Sequence, residues 1–283
     1  MLFLCEHALE HLAYMNADDG LKGTLKGDKY IPLEECDDIG TYLIQFDTNT
    51  LRTDNPYGYT NGDCINRCEY AAIIDYMLSK PVICSLSVNT AMGNTHTTDS
   101  CPLAYDLVYP ESAQSSSENE HIVIFKGTTK GFEWGDNVEG INQADTQSQI
   151  EEAAFIDEID SNNITVVGHS KGGNKAMYCA IVSDNVTRCV SMDGQGFSDE
   201  FITKYQYKII AKSKNIKNIS YSSDYVHALM RQIPGSEQLY RGSGYGSNGA
   251  DSFGGCHSPN SLFSYSIDEN IDDEGKLVVK SKQ

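Results

Sequence analysis

The chain has 283 residues and a formal net charge of −19. That acidity argues against a nucleic-acid partner, because a phosphate backbone attracts a basic face, and it disfavours adsorption to anionic membranes. No apolar run approaches the ~20 residues of a membrane helix, and Met1 to Cys5 is too short, and followed too soon by Glu6 and His7, for a secretion signal. The expectation is a cytoplasmic protein with no integral membrane segment. Its length suits one α/β domain over 1–283.

In chain order, residues 3–15 predict an amphipathic helix with Leu4, Ala8, Leu9, Leu12 and Met15 on one face. Within it, His7-Ala8-Leu9-Glu10-His11 fits H-x-x-E-H, two histidines one helical turn apart. So short a match is read as the polar face of that helix, and no metal or other cofactor is expected. Residues 16–65 are rich in Asp, Asn, Gly and Thr, and the part before about residue 115 is poorly assigned. A helix is expected over Tyr70 to Leu78, strands over Val82 to Val88 and Leu103 to Tyr109, and a polar loop from Ser112 to Asn119.

His121 to Phe125 is a convincing strand, followed by a glycine-rich loop from Gly127 to Gly140. A helix then spans about 146–159. Thr146 and Gln149 form its capping box, Ile150, Ala153, Ala154 and Ile159 its buried face, and Glu151, Glu152, Asp157 and Glu158 its wet one. Ile164 to Val167 reads as a short buried strand, and 173–182 as a helix. Further strands are expected at Cys189 to Met192 and Asn218 to Tyr221. Alternating strands and helices imply a mainly parallel central sheet with helices on both faces.

The most informative stretch is Gly168-His169-Ser170-Lys171-Gly172. It fits G-x-S-x-G in a strand–turn–helix context, the setting of a nucleophile elbow. The turn strains the serine backbone and lifts its hydroxyl off the end of the sheet. Side chains at 168 and 172 would collide with the neighbouring helix or strand. A serine hydroxyl needs a base, and the base needs an orienting carboxylate, in the chain order Ser, Asp or Glu, His. His257 is preferred to His227 as the base, because His227 lies three residues after Asp224 and reads as the start of a helix. Asp224, just past a strand, is preferred to Asp193 as the acid. His169 is a poor partner for its neighbour Ser170. The oxyanion hole is assigned to the backbone N–H groups of Lys171 and Thr128.

Nine cysteines without a paired zinc pattern read mostly as buried thiols of a reducing compartment. The acidic run Asp268 to Glu274 lacks calcium-loop spacing and reads as a solvated tail.

Taken together, Phe125-Lys126-Gly127-Thr128, Glu133-Trp134-Gly135-Asp136-Asn137, the elbow, Asp193-Gly194-Gln195-Gly196-Phe197 and Ser223-Asp224-Tyr225-Val226 resemble the class 3 (fungal-type) lipase family, and still more its bacterial lipase-like relatives. The resemblance covers about residues 121–258, the catalytic core. It implies an α/β-hydrolase fold, an oxyanion residue at Thr128, a lid or substrate-binding loop carrying Phe132, Trp134 and Asp136, and the triad Ser170, Asp224 and His257. Lys126 stands where that family has arginine, and Lys171 where it often has an apolar residue. The expected activity is cleavage of a small-molecule ester or lipid through an acyl-enzyme. A phospholipase A or lysophospholipase, or a non-catalytic binding protein of the same fold, is the alternative. Acyl chain, alcohol and oligomeric state stay open.

Overall fold

A computed structural model describes residues 2–56, 58–61, 65–93, 101–110, 120–127, 142–240, 257–258, 263–264 and 280–281. The chain opens with helices α1 (Leu2–Ala17), α2 (Asp19–Lys22), α3 (Ile39–Leu43) and α4 (Thr48–Thr53). A short antiparallel pair, β1 (Tyr59–Asn61) and β2 (Ile65–Asn66), leads to α5 (Arg67–Leu78) and α6 (Pro81–Cys84). Seven strands then form one sheet, in sequence order: β3 (Ser87–Met92), β4 (Ala104–Val108), β5 (His121–Phe125), β6 (Ile164–His169), β7 (Val186–Met192), β8 (Ile216–Tyr221) and β9 (Glu237–Tyr240). The first three pair antiparallel, and β5 to β9 are parallel. Helix α7 (Gln147–Glu158) joins β5 to β6, α8 (Lys171–Val182) joins β6 to β7, and α9 (Asp199–Lys204) with α10 (Gln206–Lys212) joins β7 to β8.

The pleat sorts the strand residues into two cores. Ile122, Ile124, Val167 and Met192 face α1 to α6, whereas Val123, Phe125, Ile164 and Val166 face α7 to α10. A strand buried on both faces must be apolar throughout, which is why His121 to Phe125 shows no polar alternation. The poorly assigned N-terminal part is thus the cover of one sheet face. Without it, Ile122 and Ile124 would lie in water.

Several expectations are corrected. Helix α1 is not amphipathic with a wet side: Glu6, His7, Glu10, His11 and Asn16 are all buried, because the helix is wedged between the sheet and α5. Val82 to Cys84 lies in α6, not in a strand. Pro81, whose missing N–H is harmless at the first helical position, starts that turn, and the strand begins only at Ser87. The capping box of α7 is present, with Thr146 Oγ1 accepting from the Gln149 N–H at 3.3 Å and Gln149 Oε1 from the Thr146 N–H at 2.9 Å. Its buried face is rotated, however. Gln149, Glu152 and Ile156 point inward, while Ile150 is 48% exposed and Ala154 is exposed. Polar partners on α8 select that face: Lys175 Nζ lies 2.6 Å from Glu152 Oε1, and Gln149 donates to Asn174 Oδ1 at 2.8 Å. The seven cysteines among the described residues are free thiols, four of them buried. No helix among the described residues is long and apolar enough to cross a membrane. Ser112 to Asn119, most of the Gly127 to Gly140 loop and the acidic run Asp268 to Glu274 lie outside the described residues.

Candidate active site

The centre of the site is the β6–α8 junction. Ser170 has φ 59° and ψ −123°, a conformation L-residues rarely adopt, between extended β6 and helical α8. Two glycines make so sharp a turn possible. A Cβ on Gly168 would sit 2.4 Å from the carbonyl oxygen of Gly172, and one on Gly172 would sit 2.3 Å from the carbonyl oxygen of Phe125. The Ser170 N–H donates to the Met192 carbonyl at 2.9 Å, tying the elbow to β7.

The structure brings Ser170, Asp224 and His257 together. His257 Nε2 lies 2.7 Å from Ser170 Oγ, and His257 Nδ1 lies 2.9 Å from Asp224 Oδ1. With Asp224 ionised, Nδ1–H donates to the carboxylate and Nε2 accepts from the serine hydroxyl. Asp224 and His257 are buried and Ser170 is half-buried. Burial alone would raise the Asp224 pKa. Hydrogen bonds and charge from His227 and His257 outweigh it and hold the carboxyl well below the usual range.

His227, the alternative base, sits behind the acid. Its backbone N–H donates to Asp224 Oδ2 at 2.7 Å, and its Nδ1 lies 3.5 Å from that oxygen, while its Nε2 lies 3.7 Å from Glu237 Oε1. The bond to Asp224 raises the His227 pKa. The helix expected from His227 is absent. Asp224 also accepts from the Val226 N–H at 3.1 Å, closing a local turn, and Met230 has φ 68°.

Asp193, the alternative acid, has φ 48° and is fully buried beside Asp224. Its Oδ1 accepts from the Tyr221 N–H at 2.8 Å. Carboxylate oxygens of Asp193 and Asp224 and a ring nitrogen of His227 all lie within 4.8 Å of one another. Burial, followed by the charge of Asp224, raises the Asp193 pKa well above the usual range. Two adjacent buried carboxyls cannot both ionise cheaply, and the histidine-bonded one keeps the charge.

Two residues not assigned to the site from the sequence brace His257. His169 Nε2–H donates to the His257 carbonyl at 2.9 Å, and the Tyr14 hydroxyl lies 3.3 Å from His169 Nδ1. Burial, then the charge of His257, lowers the His169 pKa, so this imidazole stays neutral. Position 169 carries the signal, since a neighbour of the nucleophile faces the opposite side of the turn. Nothing in the sequence links Tyr14 to the elbow.

Lys171, the expected oxyanion donor, is the first residue of α8, at the positive end of the helix dipole. Its partner Thr128 and the expected lid residues Phe132, Trp134 and Asp136 lie outside the described residues. A small crevice lined by Gln149, Lys171, Asn174, Gln195 and Met230 opens beside the elbow, but neither Ser170 nor His257 lines it.

The chain matches no curated protein. Residues 104–233, just under half of the chain, match the Mbeg1-like family, a lipase-like family consistent with a hydrolase.

Proposed function

We propose that this protein is a serine hydrolase of α/β-hydrolase fold that cleaves carboxylic esters through Ser170, Asp224 and His257. The observation that carries this reading is the placement of one imidazole between the Ser170 hydroxyl and the Asp224 carboxylate. Ser170 Oγ attacks the ester carbonyl as His257 Nε2 takes its proton. Asp224 fixes the tautomer and stabilises the imidazolium. The N–H groups of Lys171 and Thr128 receive the oxyanion. His257 then protonates the leaving alcohol, and water activated by the same imidazole hydrolyses the acyl-enzyme.

The test is a panel of nitrophenyl esters of increasing acyl length, with triglyceride and phospholipid, run on wild type and Ser170→Ala. Wild type hydrolyses at least one ester class, and the variant loses about 10⁴-fold or more in turnover. Short-chain preference identifies an esterase, activation at an oil interface a lipase, and head-group dependence a phospholipase. Wild-type turnover in Ser170→Ala contradicts the assignment.

A further inference from the structure

Helix α1 contains a polar cluster that the ester chemistry does not use. His7, Glu10 and His11 stand at i, i+3 and i+4, which places them on one face of a helix. All three are buried, Glu10 and His11 completely. The histidine rings meet edge to face with centroids 4.8 Å apart, and His11 Nε2 lies 3.6 Å from Glu10 Oε1. One ligand atom from each residue lies within 4.8 Å of the other two. Around a tetrahedral zinc with bonds of ~2.0–2.2 Å, ligand atoms are roughly 3.3–3.6 Å apart, so side-chain shifts of about 1 Å would close the set.

Glu10 gives the cluster its meaning. Neither carboxylate oxygen accepts a hydrogen bond, although the side chain is wholly enclosed. The other acidic group on this helix is handled differently, since Glu6 pairs with Arg188. Asn16 is bonded to Glu34, Tyr30 and Tyr105. The second cluster of this kind, Asp193, Asp224 and His227, spends its Asp224 oxygens on His257 and on the backbone of Val226 and His227. An enclosed carboxyl without a donor costs several kcal/mol unless it is neutralised, and a cation between two imidazoles neutralises it.

We propose that His7, Glu10 and His11 bind one divalent transition-metal ion of the zinc type on the buried face of α1, where the helix packs between the sheet and α5. Two imidazoles and one carboxylate are a nitrogen–oxygen set suited to zinc. Because the cluster is enclosed, the ion enters as the helix docks, so loading is coupled to folding. The role is structural, and none of the three ligands is Ser170, Asp224 or His257.

The test uses the full-length, tag-free chain grown with added zinc and dialysed against metal-free buffer. Elemental analysis gives about one zinc per chain. Stripping with a strong chelator lowers the melting temperature, and zinc restores it. The cobalt-substituted protein shows visible d–d bands without a thiolate charge-transfer band, separating this site from the free cysteines. Metal content falls roughly tenfold or more in Glu10→Gln and His11→Gln. Should those variants fail to fold, wild-type stoichiometry and the cobalt spectrum decide alone. A wild-type chain that carries no metal and whose melting temperature ignores zinc overturns the proposal. So does a bound ion with thiolate ligands, or one retained in both folded variants.

Discussion

At the scale of single residues, two carboxyls compete for one role. Asp193 and Asp224 both follow a parallel strand, both are buried, and they lie side by side. Only Asp224 meets His257, with its charge held by His257 on one oxygen and His227 on the other. Asp193, whose pKa burial and the charge of Asp224 raise, accepts a backbone N–H from Tyr221. Asparagine mimics a neutral carboxyl but cannot stabilise an imidazolium. Asp193→Asn therefore keeps wild-type ester turnover and fold, whereas Asp224→Asn loses about 10³–10⁴-fold in kcat. Steady-state kinetics on the two variants check this, and the reverse ranking would make Asp193 the acid. The elbow motif limits what may follow it and so narrowed the sequence reading to Ser170, Asp224 and His257, and the structure places the last within hydrogen-bond distance of the other two. Two supports were not legible: Tyr14 and His169 act through contacts spanning 155 and 88 residues, which no local pattern encodes.

Elements were legible where backbone chemistry is local. The Thr146–Gln149 capping box started α7 where expected, and the apolar run at His121 to Phe125 gave β5. The inward face of α7 was misjudged because apolar periodicity ignores polar partners. Glu152 is fully buried against Lys175 of α8, and Ile150 is left outside. The same blindness made α1 look amphipathic. The Glu152–Lys175 pair yields a measurable consequence. Lys175→Ala leaves an enclosed carboxylate and costs about 3–5 kcal/mol in urea unfolding at neutral pH, while the double change Glu152→Leu with Lys175→Met recovers most of that loss. Equal stability of wild type and Lys175→Ala would show the pair to be idle.

At the scale of the whole molecule, the sheet separates two jobs. On one face, α7 to α10 complete the parallel β–α units that deliver Ser170 and Asp224 to the same sheet edge. On the other, α1 to α6 supply a second core from a segment whose sequence gives little sign of it, since its helices α2, α3, α4 and α6 are only four to six residues long. Short helices carry too few periods to be read from apolar spacing. Yet that segment reaches the site, because Tyr14 of α1 touches His169. The family match ends at residue 233, before His257, so the proposed role of His257 rests on geometry and not on the match. The most direct check of the account is covalent: treat the intact protein with a fluorophosphonate and locate the adduct by peptide mass spectrometry. The expected result is one phosphonyl group per chain, on Ser170, and none on Ser170→Ala. A folded wild-type chain that stays unlabelled, or is labelled equally in the variant, would contradict it.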